Sequence, residues 1–138
     1  MSLIEKDTYT FLSTDNELIQ LMNSIRGQKF DETGRFGDGI FIYQLPESYS
    51  KIEVAPFIRI EPVLEMEAMY FDDDNRAEEQ RVQVSFWTKG ADTSDKLKRK
   101  IDKIMKKNGL RQYDANRYHD PDIDLIMHYR KYRRYEWQ

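Results

Sequence analysis

Between Tyr70 and Trp87 the chain reads YFDDDNRAEEQRVQVSFW, and the adjacent carboxylates of Asp72, Asp73 and Asp74 are an obvious place to look for chemistry. Oxygen-rich clusters of this kind suit calcium. A calcium loop, however, needs oxygen ligands at alternating positions, a glycine for its sharp turn and a distal glutamate. That spacing is missing. The run joins two segments that alternate polar and apolar residues, so it is expected to be the solvated, mobile tip of a hairpin, with no metal bound.

Other candidate chemistry is sparse. The chain has no cysteine, which excludes disulfides, thiolate zinc sites and cysteine nucleophiles and fits a reducing compartment. The two histidines lie apart, His119 in a turn with Asp120 and Asp122, and His128 in an alternating segment. No Ser–His–Asp arrangement and no HExxH motif is present. Glu65 and Glu67 share one strand face, where salt pairing is expected rather than acid–base work. The stretch GRFGDG (Gly34 to Gly39) lacks the Lys-Ser/Thr of a phosphate-binding loop and is not GxGxxG, so it reads as a turn before a strand. No catalytic residue, cofactor or enzyme activity is expected.

The elements that would hold these residues follow from periodicity. Residues 3–12 form a short helix. Thr14 and Glu17 fit a capping box for a second helix, with Leu18, Leu21, Met22 and Ile25 at helical spacing and Gly27 as its stop. Ile40 to Leu45 read as a strand and Pro46 to Lys51 as a loop. Ala55 to Phe71 read as a long strand with Ile58 and Ile60 inward and Arg59, Glu61, Glu65 and Glu67 outward. Pro62 places that strand at an edge or at a bulge. Val82, Val84 and Phe86 continue the inward row, and Arg81 is placed to face Glu65 or Glu67. Asp92, Thr93 or Ser94 can cap a helix whose apolar stripe is Leu97, Ile101, Ile104 and Met105, with Gly109 as its stop. A strand at RQYDANRY, a turn at His119 to Asp122 and a last strand from Ile123 follow. In that last strand Ile123, Leu125, Met127 and Tyr129 alternate with Asp124, His128 and Arg130.

The 138 residues fit a single domain, 1–138. No apolar run approaches the ~18 residues of a membrane span, and the N-terminus does not read as a signal peptide. The net charge of −3 hides an asymmetry. Residues 1–88 hold 8 Lys/Arg against 17 Asp/Glu, and residues 89–138 hold 14 against 8. Seven basic residues lie between Lys96 and Lys107, and the C-terminus is rich in Tyr and Arg. Such polarity suits two solvated faces, contact with nucleic acid, or attraction between copies of the chain.

The succession of a helical N-terminus, a glycine turn, IFIYQLPES, APFIRIEPV, the hairpin ending RVQVSFWTKG, the helix opening DTSDKLKRKIDKIM and a paired C-terminal strand resembles the tail terminator (tail completion) proteins of long-tailed bacteriophages and prophages of Gram-positive bacteria. The resemblance spans nearly the whole chain and is one of pattern rather than of an invariant signature. It implies an α+β fold, an antiparallel sheet of about four to five strands with helices packed on one face. It also implies a ring, usually a hexamer, that sits on the tail tube, stops its elongation and presents the surface joining the head. The partners would be further copies of the chain, the tail tube protein and a head–tail connector protein. DNA would pass through the lumen without sequence readout, no membrane would be involved, and the protein would reside in the virion tail after assembly in the host cytoplasm. The alternative is a nucleic-acid-binding module using the basic helix and the Tyr/Arg C-terminus.

A ring needs two different patches that meet between neighbours. The sequence offers an acidic one in Glu61, Glu65, Glu67, Asp72, Asp73 and Asp74. It offers a basic and aromatic one in Lys98, Arg99, Arg130, Tyr132, Arg133, Arg134, Tyr135 and Trp137.

Overall fold

The computed structural model describes residues 2–31, 37–47, 50–71 and 75–137, and for residues 64–71, 75–77 and 137 it describes the backbone alone. The chain runs α1 (Ile4–Ser13), α2 (Asn16–Arg26), β1 (Ile40–Ile42), a 3₁₀ turn (Ile52–Val54), β2 (Phe57–Phe71), β3 (Asn75–Thr88), α3 (Ala91–Lys107), β4 (Arg111–Asp120) and β5 (Leu125–Trp137). One five-stranded sheet has the order β1-β2-β3-β5-β4. The fold is α+β, as expected. The sheet is mixed rather than wholly antiparallel, because β1 pairs parallel with β2 and every other pair is antiparallel. The connection from β1 returns the chain through the 3₁₀ turn to the same end of the sheet, so β2 starts beside β1 in the same direction.

The helix ends follow side-chain chemistry, with two shifts from the sequence reading. Asp15, not Thr14, is the N-cap of α2, and its carboxylate accepts from the Leu18 N–H at 2.9 Å. The Thr14 hydroxyl instead donates back to the Thr10 carbonyl at 2.6 Å, closing α1. Gly27 ends α2 with φ +81°, a left-handed conformation that glycine adopts without a Cβ penalty. At α3 the cap position belongs to Gly90, and Asp92, Thr93 and Ser94 lie inside the first turn.

All three helices pack on one face of the sheet. Leu97, Ile101, Ile104 and Met105 of α3 join Ile4, Leu12, Leu18 and Met22 over Ile58, Ile60, Val82, Val84 and Phe86, all buried. Burying each such side chain contributes roughly 1.5–3 kcal/mol. The opposite face carries a smaller cluster at one end only, formed by Phe57, Trp87, Met127 and Leu125 under Phe30, Val54 and Ala55. Phe57 stacks on Trp87 with ring centroids 5.2 Å apart. Arg26, buried at the end of α2, holds this covering segment by donating to the Val54 carbonyl at 2.8 Å and to the Pro56 carbonyl. Burial lowers its guanidinium pKa to about 10.

The long hairpin is paired as far as Phe71 with Asn75. Register shifts fall between Val63 and Met66 and between Glu67 and Met69, directly after Pro62. Arg81 lies opposite Val63, the last pair before the first shift. Its guanidinium reaches Glu79 on its own strand at 2.7 Å, not Glu65 or Glu67. Asp72, Asp73 and Asp74, and the side chains of Glu65, Glu67 and Trp137, fall outside the described residues.

Candidate interaction surfaces

The basic and aromatic patch read from the sequence divides into residues that face solvent and residues that the fold uses internally. Arg130 is buried and forms a bidentate pair with Asp102 of α3, Nε to Oδ1 at 2.8 Å and Nη2 to Oδ2 at 2.7 Å. Tyr132 is 1% exposed, and its hydroxyl donates to the same carboxylate. Burial first, and Asp102 second, push its phenol well above the ordinary range. Arg134 bonds Gln80 at 2.7 Å and Asp7 of α1 at 2.8 Å. These three residues therefore leave the interface set. The period-two reading set His128 and Arg130 in the polar row, but β5 lies between β3 and β4, and that row points under α3.

Lys98, Arg99, Arg133 and Tyr135 remain accessible, Arg99 most of all. Lys100 is taken up by Glu17 and by Asp15 at 3.7 Å, which ties α3 to α2. The Glu17 bond holds its ammonium above the ordinary value. Glu61, from the acidic patch, pairs with Arg59 at 2.9 Å.

Beyond the small apolar cluster, the face of the sheet away from the helices is a lattice of cations over rings. Arg81 and Arg133 approach the Tyr113 ring at 5.2 and 5.6 Å, and Lys131 lies 5.6 Å from the Tyr129 ring. Tyr113 reaches this position because β4 bulges between Gln112 and Asp114. That bulge breaks strict alternation, so no periodic pattern in the sequence marks Tyr113 as a partner of β3 and β5. The cations are largely compensated: Arg81 and Arg133 share Glu79, and Lys131 faces Asp114 at 3.8 Å.

Two backbone edges are open among the described residues. β4 ends the sheet, and eight of its ten residues are exposed. On the other side β1 covers only Ile58 to Ile60 of β2, so from Glu61 onward β2 is itself an edge. An open edge presents unpaired N–H and C=O groups and is a template for another strand. Pro62 marked β2 as an edge or a bulge, and β2 is both there, whereas the edge position of β4 was not legible, because strand order is not written in the chain.

Among the described residues no group of three or more His, Asp or Glu side chains is disposed to hold a metal ion. His119 Nε2 meets Asp124 at 2.6 Å, and Asp120 accepts from the Asp122 N–H and from the Trp87 indole. Among the same residues no helix is long and apolar enough to cross a membrane. No protein-family model matches the chain, and no curated protein matches it in sequence.

Proposed function

We propose that this protein is a structural component of phage assembly that closes into a ring on the finished tail tube, stops its elongation and forms the surface that joins the head. Two things support this reading: the pattern of elements that resembles tail terminators, and the presence of two open strand edges on opposite sides of one sheet. The edges carry the argument. A ring requires a heterologous contact in which one surface of each copy meets a different surface of the next. The outer edge of β4 and the distal edge of β2 are such a pair, distinct and separated by β3 and β5. Joined head to tail, they would extend one sheet around the ring by backbone hydrogen bonds. The tail tube protein and a connector protein would then meet the two rims, and DNA would thread the lumen.

The absence of native cysteine makes the contact directly testable. Within one chain β2 and β4 are three strand spacings apart, about 14 Å, too far for a disulfide. Asn116→Cys combined in turn with Glu61→Cys, Val63→Cys and Glu65→Cys should therefore cross-link only between copies. In assembled tails at least one pair should give a ladder ending at the ring size, and tails made without the protein should be overlong. Tails of normal length without the protein would end the proposal. Normal termination with no cross-link from any pair would remove the edge contact.

A second reading is favoured by the cation-over-ring lattice of Arg81, Arg133, Lys131, Tyr113 and Tyr129, which offers stacking surfaces for single-stranded nucleic acid. Submicromolar, steeply salt-dependent binding in a gel shift would support it over the assembly role.

A further inference from the structure

A cleft of about 380 Å³ lies between the N-terminal half of α3 and strands β4 and β5. Its walls are Lys98 of α3, Arg117, Tyr118 and His119 of β4, and Ile126 and His128 of β5. His128 is 4% exposed and stacked flat on Phe86, with ring centroids 4.5 Å apart and planes 9° apart. Its Nε2 is buried without a hydrogen-bond partner, although a buried polar atom of this kind ordinarily has one. Arg130 and Asp102 neutralise each other beside it. Asp95, at the rim, is held by Arg99 at 3.0 Å, and His119 by Asp124. Lys98 and Arg117 are left with no ion-pair partner among the described residues. The first turn of α3 adds the positive end of its peptide dipole, since Ala91 and Ser94 also border the cleft.

We propose that this cleft binds a small phosphate monoester, with Lys98 and Arg117 pairing the dianion and the His128 imidazole donating Nε2–H to it. The two uncompensated cations match the charge of a monoester rather than that of a diester. The exposed ring of Tyr118 and the side chain of Ile126 give the organic part an apolar wall. The imidazole suits a donor role: burial first, then Arg117, Arg130 and Lys98, depress its pKa to about 4, so it is uncharged near pH 7 and keeps one N–H. A bound dianion would offset those cations and draw that value upward.

The test uses the full chain, with inorganic phosphate, adenosine 5′-monophosphate and a single-stranded oligonucleotide lacking terminal phosphate as probes. Calorimetry measures affinity and imidazole NMR follows His128. Adenosine 5′-monophosphate should bind more tightly than phosphate and raise the His128 pKa. Lys98→Gln and Arg117→Gln, both at solvent-reached positions, should each weaken it about tenfold, the usual loss for a charged hydrogen bond. His128→Phe keeps the stack on Phe86 and should weaken binding while leaving the fold intact by circular dichroism; if it unfolds, the two surface variants decide alone. Equal affinity in both surface variants and in the original protein would overturn the proposal, as would a His128 titration unmoved by the nucleotide. So would an oligonucleotide that binds the cleft more tightly than the monophosphate, which would assign the cleft to a nucleic-acid backbone instead. None of these outcomes depends on ring formation.

Discussion

His128 shows how far a residue can depart from what its position in the sequence suggests. It stands in a row of alternating polar and apolar residues, and alternation alone sends it to solvent. Burial under α3 instead depresses its pKa to about 4, with Arg117 of β4, Arg130 of β5 and Lys98 of α3 adding to the effect. In the unfolded chain the imidazole would titrate near its ordinary value of about 6.5. Between those two values the unfolded state binds the extra proton, so stability falls as the solution is acidified. The contribution is fully present above about pH 6.5 and is lost as pH drops towards 4, a total of about 3 kcal/mol. Urea unfolding at successive pH values should show this slope, and His128→Phe should flatten it. An unchanged slope would place the acid sensitivity elsewhere. Arg130, Tyr132 and Arg134 were equally illegible: a sequence records that arginine and tyrosine are available for an interface, but not that Asp102 and Asp7 sit where they can claim them.

At the scale of elements the sequence was far more informative, because periodicity reports which face is apolar whatever that face meets. The stripe Leu97, Ile101, Ile104 and Met105 and the inward rows of β2 and β3 meet as their spacing requires. What periodicity omits is the partner on each side. It missed the parallel pairing of β1, the edge position of β4 and the bulge that turns Tyr113 onto Arg81 and Arg133. The cap of α2 was legible to within one residue, since Thr14 and Asp15 are both competent caps and the choice depends on where α1 stops, whereas the cap of α3 at Gly90 lies two residues before the nearest candidate, Asp92. Ile101 tests the layer most directly, being fully buried between α3 and the sheet. Ile101→Asp removes its apolar contacts and places a carboxylate where no cation waits, a cost above about 3 kcal/mol. The melting temperature should fall by more than about 10 °C, or the protein should not fold. A shift of a degree or two would mean that α3 does not hold the sheet as described.

For the molecule as a whole, the division into an acidic first part and a basic second part suggested that copies attract one another by charge. The fold offers a different use for that asymmetry. β3 of the acidic part pairs with β5 of the basic part, so the two parts border each other and opposite charges meet within one molecule. Asp7 pairs with Arg134, Glu17 with Lys100, and Glu79 lies 3.9 Å from Arg133. Each contact joins the acidic part to the basic part. Charge steering between copies is therefore weaker than the sequence alone implies, and the open edges of β2 and β4 become the stronger basis for a ring. Ionic strength separates the two. Screening shortens the reach of exposed charges from about 14 Å at 0.05 M to about 4 Å at 0.5 M salt, whereas backbone hydrogen bonds between strands are little affected. If edge pairing holds the ring, the yield of the Asn116 cross-link in assembled tails should stay nearly constant across that range. If opposite patches hold it, the yield should collapse at high salt, and substitution of the accessible Arg99 and Arg133 by glutamate should reproduce the collapse at low salt. Arg134 is unsuitable for that test, because its replacement breaks the Asp7 contact and perturbs the fold itself.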